Sequence, residues 1–269
     1  MTHQTIIDPD DPRVAAFRQV QERDLTGRHG RFIAEGKVVV RVLASPASLC
    51  GVEALLLAEN RVAAMADVIA GLPGDATAYV AAQPVLDAIA GFHLHRGVLA
   101  LGRKPAPLAP ATLLAAAPET CVVVCAVGVG NHDNMGGLFR NAAAFGAHGV
   151  LLDSGCCDPF YRKAIRVSAG AVLRTPAATA SSAEAMLDAL EAAGFQALAL
   201  TPGAVQPLAA VRGRGRQALI LGAEGPGLPE TILKRCRPVA IPMAGGFDSL
   251  NVAAASAVAL YQITQASTR

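Results

Sequence analysis

Short apolar runs alternate with alanine-rich helical patterns along most of the chain, and this alternation restricts the possible folds more than any other feature. Cys121 to Val127 is a β-branched run suited to a buried parallel strand, whereas Ala183 to Ala193 follows a helical pattern. Alternating strands and helices favour an α/β fold with a mostly parallel sheet. Ligands of such sheets bind beyond the carboxyl ends of the strands.

A proline-rich stretch divides the chain. Arg103 to Pro110 holds three prolines within six residues, which fits neither a helix nor a sheet. We therefore predict a small α/β domain in residues 1–102, a Pro/Ala-rich linker in residues 103–119 and a second α/β domain in residues 120–269. Near the start, Pro12 is well placed for a first helical position, and we predict a helix from there to about Leu25.

Composition and terminal sequence exclude several classes of protein. The chain is 52% hydrophobic and 16% charged, which is typical of a globular protein. No apolar run approaches the roughly 18 residues of a membrane span, and the acidic N-terminus does not resemble a signal peptide, so we predict a cytoplasmic protein. The six cysteines follow neither zinc-ligand spacing nor a regular disulfide framework. A net charge of +2 is too small to indicate a nucleic-acid partner alone.

Three glycine-containing loops follow predicted strands, at residues 128–137, 222–228 and 241–251. Because all three would emerge at the same edge of the sheet, they are the candidate site. None contains a GxGxxG, GxxxxGK[ST] or GxSxG pattern, so hydride transfer, nucleotide hydrolysis and ester hydrolysis each lack their usual signature. In the third loop, Ser249 and Asn251 fall where the N-cap of the closing helix is expected.

The three loops carry a resemblance to a known family. The segments Asn134-x-Gly136-x-x-x-Arg140, Leu221-Gly222-x-Glu224-Gly225-x-Gly227-Leu228 and Ile241-Pro242-Met243 through Ser249-Leu250-Asn251-Val252 resemble the three ordered motifs of the SpoU/TrmH RNA 2′-O-ribose methyltransferases, in the SPOUT superfamily. The likeness covers roughly residues 120–265. Residues 32–36 and 95–100 more loosely resemble the start and finish of the N-terminal substrate-binding domain of that family.

The resemblance implies an activity, a cofactor and partners. It implies methylation of a ribose 2′-hydroxyl in structured RNA, rRNA in preference to tRNA, with S-adenosyl-L-methionine as the cofactor. It also implies a deep trefoil knot in the C-terminal domain, a homodimer, RNA binding by the N-terminal domain and no need for a metal. Two alternatives stay open: a catalytically silent RNA-binding protein of the same fold, and an RNA base methyltransferase.

The resemblance assigns catalytic roles to five residues: Arg140, Asn134, Glu224, Ser249 and Asn251. Arg140 would be the base for the hydroxyl, but a guanidinium stays protonated unless strongly perturbed, so it can instead clamp the neighbouring phosphate. A helix arginine paired with an acid is the structural alternative. Asn134 would order its loop or contact substrate, with an Asx-turn as its alternative. Glu224 would bind Asn134 or Arg140, unless it is simply an exposed loop carboxylate.

Seven further residues would hold the cofactor, with turn formation or core packing as their alternative roles: Leu221, Gly222, Gly225, Gly227, Ile241, Met243 and Leu250. The glycines would let the backbone approach the cofactor closely, and the apolar residues would form an adenine pocket. Two basic segments, Arg162 to Arg166 and Arg212 to Arg216, can either contact phosphates or form solvated faces.

Overall fold

The computed structural model of the chain describes residues 3–18, 29–211, 214–245 and 248–267. The strands are β1 Gln4–Ile6, β2 Arg31–Glu35, β3 Gly51–Ala58, β4 Thr77–Ala81, β5 Val98–Arg103, β6 Cys121–Val127, β7 Gly149–Leu152, β8 Ala177–Thr179, β9 Gln196–Leu200, β10 Arg216–Gly222 and β11 Arg237–Val239. The α-helices are α1 Lys37–Leu43, α2 Ala66–Ala70, α3 Gln83–Ala90, α4 Pro110–Ala115, α5 His132–Ala144, α6 Arg162–Val167, α7 Ala183–Ala192, α8 Glu230–Leu233 and α9 Val252–Ser267.

These elements form two compact units. The first unit is Met1–Pro105 together with Asp158–Arg174, and the second unit is Ala106–Cys157 together with Thr175–Arg269. The α/β fold expected from the alternating pattern is thus confirmed, with a parallel sheet in the second unit and a mixed sheet in the first. Within the described residues, no helix combines the length and the apolar character that crossing a membrane would require.

The first unit is built on a five-stranded sheet in the order β1-β4-β3-β5-β2. β1, β4 and β3 are parallel, whereas β5 is antiparallel to both of its neighbours. One face of the sheet is covered by α3 and the N-terminal 3₁₀ turn, so that Phe17, Leu56 and Leu86 meet in a buried cluster.

The segment 158–174 belongs to the first unit although it follows β7 in the sequence. α6 packs against β2, and the ring of Phe160 lies 5.2 Å from that of Phe32. Gly170 has a φ of 83°, and a Cβ there would approach the side chain of Val42 to 3.1 Å. Strand periodicity cannot detect such an excursion, because it depends on contacts with residues more than a hundred positions away. The predicted division of the chain therefore differs from the compact units at this segment.

The second unit contains a six-stranded parallel sheet in the order β11-β9-β10-β6-β7-β8. Side chains alternate between its faces. Val123, Cys125 and Ile220 face a buried cluster that includes α4, α7 and α8, and α5 and α9 pack together on β6 and β10. Gly222 pairs with Val127, so β10 and β6 end at the same level of the sheet.

Several predicted boundaries were wrong. The sequence pattern predicts a helix from Leu138 to Phe145, but α5 begins at His132, so residues 132–137 of the first predicted loop are helical. The predicted linker contains α4, whose Leu113 and Leu114 are buried in the second unit. The last strand, which the sequence pattern predicts at residues 239–241, lies instead at Arg237–Val239. β1 and β8, each of three residues, were missed because they are too short for a periodic signal.

Parts of some predictions lie outside the described residues. The predicted N-terminal helix appears as a 3₁₀ turn at Pro12–Phe17, and its continuation through residues 19–25 is among those parts. The others are Arg212 of the second basic segment and positions 246–247 of the third loop.

Candidate active site

A hydrogen-bonded network joins the three motifs in the second unit, and Asn251 lies at its centre. The Asn251 amide nitrogen donates to Asn134 Oδ1 at 2.8 Å and to Glu224 Oε1 at 2.8 Å. The Asn251 Oδ1 accepts from the backbone N–H groups of Ala253, at 2.9 Å, and Ala254, at 3.3 Å. Both donor hydrogens and both acceptor positions of this amide are therefore used.

Two asparagine N-caps position this network. Asn251 caps α9, which confirms one of the two expected cap positions, while Ser249 lies two residues earlier in the loop. Asn131 caps α5 in the same way, because its Oδ1 accepts from the N–H groups of Asp133 and Asn134. An N-cap side chain satisfies backbone donors that the helix itself leaves unpaired. Each cap fixes the direction from which its helix enters the site.

Helices α5 and α9 approach closely because glycine lies between them. A Cβ at Gly137 would be 2.5 Å from the Cβ of Ala253, so a larger residue would separate the helices. Asn141 completes the contact by donating to the carbonyl oxygen of Ala253 at 2.6 Å and to Ser256 Oγ at 2.8 Å. Asn141 was not predicted as a site residue; its place one turn after Gly137 in an apolar helix was the available signal.

The second motif folds back on itself immediately after β10. Gly227 N–H donates to the Ala223 carbonyl at 3.1 Å, and a Cβ at Gly222 would lie 2.5 Å from the carbonyl carbon of Gly227. Gly225 and Gly227 have φ values of 87° and 67°, a region that side chains disfavour. Glycine is thus required at these three positions by the shape of the loop.

The loop forms one wall of a pocket of about 610 Å³ at the carboxyl ends of β9, β10 and β11. This volume is within the range of small-molecule sites. All seven residues predicted to hold a cofactor line it, together with Glu224, Ser249 and Asn251. Thr201, Asp248 and Ala255 also line the pocket and were not predicted. Thr201 follows a parallel strand directly, which is the position where a ligand contact is expected.

The two remaining predicted residues, Asn134 and Arg140, do not line the pocket. Asn134 is 5% exposed, and its side chain binds Asn251 instead of forming an Asx-turn. Glu224 reaches Asn134 through Asn251, not directly as expected. Arg140 lies on the exposed side of α5, one turn after Gly137. No hydrogen bond or ion pair joins its guanidinium to another described residue, so the alternative of an acid-paired helix arginine is not supported.

Arg216 and Cys156, which lie in the second unit outside the three motifs, have structural roles. Arg216, from a predicted basic segment, donates to the carbonyl oxygens of Ala117, Ala193 and Pro118 at 2.7, 3.0 and 3.2 Å. Burial raises the pKa of Cys156 to about 12, so this thiol is protonated at neutral pH.

Among the described residues, no group of three or more His, Cys, Asp or Glu side chains is arranged to hold a metal ion.

Comparison with known proteins identifies the same family as the three sequence motifs. The model of the SpoU rRNA methylase family matches residues 121–261. Proteins named uncharacterized tRNA/rRNA methyltransferases from Mycobacterium bovis and Mycobacterium tuberculosis H37Rv are 40% and 41% identical to this chain, in each case over 97% of the chain and 92% of the relative.

Solved structures match the whole chain. An AdoMet-bound rRNA methyltransferase from Sinorhizobium meliloti superposes with a TM-score of 0.79 at 25% identity, covering 97% of both chains. A structure described as an RNA 2′-O ribose methyltransferase superposes with a TM-score of 0.77 at 28% identity, covering 99% of this chain and 100% of the other. The resemblance seen in the three motifs is therefore confirmed, and the expected cofactor is the ligand of the first of these structures.

Proposed function

Because the chain belongs to the SpoU rRNA methylase family, we propose that it transfers a methyl group from S-adenosyl-L-methionine to a ribose 2′-hydroxyl of structured RNA, rRNA or tRNA. The observation that carries this proposal is the network in which Asn251 joins Asn134 to Glu224 at the edge of a pocket of about 610 Å³. The names of the relatives and of the structural neighbours support the RNA substrate and, in one case, the ribose hydroxyl.

The pocket fits the cofactor. The backbone at Gly222 packs directly against the backbone of Gly227 with no room for a Cβ, which holds the loop in the shape that forms one wall of the pocket. Leu221, Ile241, Met243 and Leu250 would enclose the adenine ring, and Gly225 and Gly227 would let the loop follow the ligand. The bound cofactor supplies an already electrophilic methyl group. The chain must then position the hydroxyl and assist the loss of one proton.

Arg140 is proposed to clamp the phosphate next to the reacting ribose. Its guanidinium is exposed and has no acidic partner among the described residues, so its charge and donors are available to an anion. Held in this way, it would polarise the hydroxyl without having to give up its own proton. Asn134, Glu224, Ser249 and Asn251 would orient the ribose beside it.

The assembly and the chain path are proposed from the family as well. A homodimer is supported by Val258 and Tyr261, which are 44% and 58% exposed on the same side of α9. A trefoil knot is proposed from the family; it agrees with the third loop lying beside the Gly222 loop, since Asn251 donates to Glu224 and described residues of both loops line one pocket. RNA binding by the first unit and a cytoplasmic location complete the proposal.

Transfer of labelled methyl groups into total RNA from a deletion strain tests the proposed activity. We expect the wild-type protein to label RNA, and Arg140→Ala to lose at least about a hundredfold in rate while it retains S-adenosylmethionine affinity. Arg140→Lys keeps the positive charge of the side chain but removes the planar guanidinium group. Near-full activity of this variant would contradict a role that requires a specific guanidinium geometry. No label from a wild-type protein that binds the cofactor would replace the proposal with a silent RNA-binding protein.

A further inference from the structure

A buried carboxylate in the first unit lies between two arginines. Glu35 ends β2 and is 8% exposed. Its Oε2 is 3.9 Å from Arg162 Nε and 4.0 Å from Arg166 Nη1. These separations are in the range of ion pairs but exceed those of hydrogen bonds. The carboxylate therefore attracts both guanidinium groups without occupying the donors of Arg166.

The two arginines come from one face of α6. They are four residues apart, which places them one above the other on a helix. The helix lies on β2 because segment 158–174 packs within the first unit. Arg162 lies over the ring of Phe92, with its guanidinium carbon 4.7 Å from the ring centroid, and this ring is 40% exposed. Stacking on an aromatic ring fixes the plane of a guanidinium group.

A third guanidinium group lies beside Gly36, the residue that follows Glu35. Gly36 follows Glu35 with a φ of 90°, and a Cβ there would be 2.9 Å from Arg96 Cδ and 3.1 Å from Arg96 Nη1. The absence of a side chain at Gly36 is what lets Arg96 lie along the backbone. Arg96 is exposed, and no acid among the described residues forms an ion pair with it.

The cluster consisting of Glu35, Arg96, Arg162 and Arg166 has three positive charges and one negative charge. Because Glu35 cannot neutralise all three arginines, an anion is the ligand that this arrangement favours. Guanidinium groups donate several hydrogen bonds in a planar fork, which suits phosphate oxygens. The exposed Phe92 ring next to them can also stack on a base.

We propose that Arg96, Arg162 and Arg166 form a phosphate-binding site for the backbone of the RNA substrate. Glu35 is the positioning residue that draws Arg162 and Arg166 together, and Phe92 orients Arg162. The inference rests on the proposed RNA substrate, but it concerns RNA binding by the first unit and not methyl transfer.

The salt dependence of RNA binding tests this site. Filter binding of bulk rRNA from the deletion strain is measured between 50 and 200 mM salt for the wild type, Arg96→Gln, Arg166→Gln and the double variant. Each lost phosphate contact lowers the slope of log affinity against log salt by about 0.7 to 0.9. Between 50 and 200 mM salt, the factor by which affinity falls should therefore be roughly threefold smaller for each single variant than for the wild type. For the double variant it should be about tenfold smaller.

Lys234→Ala is the matched control, because Lys234 is an exposed residue of the second unit and pairs with Glu230. It removes the same charge from elsewhere and should leave the slope unchanged. Unaltered cofactor affinity and circular dichroism show that the variants are folded. Slopes equal to that of the wild type in both single variants would overturn the phosphate site.

The assay separates this inference from the proposed function. A wild-type protein that binds rRNA with a slope sensitive to Arg96 and Arg166, yet transfers no methyl group, would support the phosphate site and overturn the methyltransferase. A protein that methylates RNA with slopes insensitive to these arginines would overturn the phosphate site alone.

Discussion

The two units use different kinds of interaction at their polar centres. In the second unit, Asn251 links Asn134 and Glu224 through direct hydrogen bonds, both of 2.8 Å, and every polar atom of its amide is used. In the first unit, Glu35 faces Arg162 and Arg166 at 3.9 and 4.0 Å, and the cluster keeps an excess of positive charge. The first arrangement is directional and of short range, and the second is electrostatic and of longer range.

This difference matches two separate tasks. A satisfied network of two amides and a carboxylate holds its members in one geometry, which a reaction at a defined atom needs. A surplus of guanidinium charge attracts a polyanion and depends on salt. Substitutions in the network should thus change catalysis more than RNA affinity, and substitutions in the cluster should do the reverse.

The largest expected effect comes from Asn251→Ala. It removes the α9 cap, worth about 1 kcal/mol, and leaves the nearly buried Asn134 side chain without its donor, at a further cost of about 1–3 kcal/mol. We expect methyl transfer to fall at least about a hundredfold, measured in single-turnover reactions, and urea denaturation to show the lost stability.

Asn131→Ala is the control for that substitution. It removes an equivalent cap from α5 but no bond of the Asn251 network, so it should cost about 1 kcal/mol of stability with a much smaller loss of activity. Equal losses of activity in both variants would mean that helix capping alone explains the effect of Asn251.

A smaller effect is expected from alanine at two glycines, one in each unit. Gly222→Ala places a Cβ 2.5 Å from the Gly227 backbone, which cannot move aside cheaply, so cofactor affinity should fall by about tenfold or more. Gly36→Ala meets the side chain of Arg96 at 2.9 Å and should reduce the salt slope of RNA binding while it preserves cofactor affinity. Calorimetric titration with S-adenosylmethionine compares the cofactor affinities of the two variants. A reduced cofactor affinity in Gly36→Ala would contradict the separation of tasks between the two units.

The smallest effect concerns thiols, for which the two units are alike. Burial raises the pKa of Cys50, in the first unit, and of Cys156, in the second, from 9.0 to about 12 in each case. Because the folded pKa is raised, the stabilising contribution of each thiol is complete below pH 9 and is lost as pH rises from there towards 12.

Urea denaturation at pH 7.5 and pH 10 measures this contribution. The wild type should lose stability between the two values, by at most about 1 kcal/mol per thiol once partial exposure is considered, and Cys50→Ala and Cys156→Ala should each lose less. A loss that neither substitution reduces would show that other groups control stability in this range.

Much of the fold and the site could be predicted from the sequence. The strand at Cys121–Val127 was predicted from its β-branched run with the bounds that the structure has. The three loops meet because parallel strands with aligned ends bring their following residues to one edge. The three ordered motifs predicted which side chains would lie at that edge of the sheet. The pocket lining contains all seven residues predicted to contact the cofactor.

The remainder depends on contacts that local patterns do not encode. Gly136 and Gly137 favoured a loop, but they lie within α5, where close packing against Ala253 outweighs the low helix propensity of glycine. The excursion of residues 158–174 into the first unit depends on Gly170 fitting against Val42. The Glu35 cluster combines residues from three distant parts of the sequence, so only Arg162 and Arg166, which lie in a predicted basic segment, could be identified beforehand.

Alkaline digestion of the methylated RNA tests most directly whether the Asn251 network serves ribose chemistry. Alkali cleaves RNA through attack of a free 2′-hydroxyl on the adjacent phosphate, so a 2′-O-methyl group protects that linkage. We predict that label transferred from S-adenosylmethionine by the wild-type protein is recovered in alkali-stable dinucleotides. Recovery of the label in mononucleotides would show methylation of a base and would contradict the account.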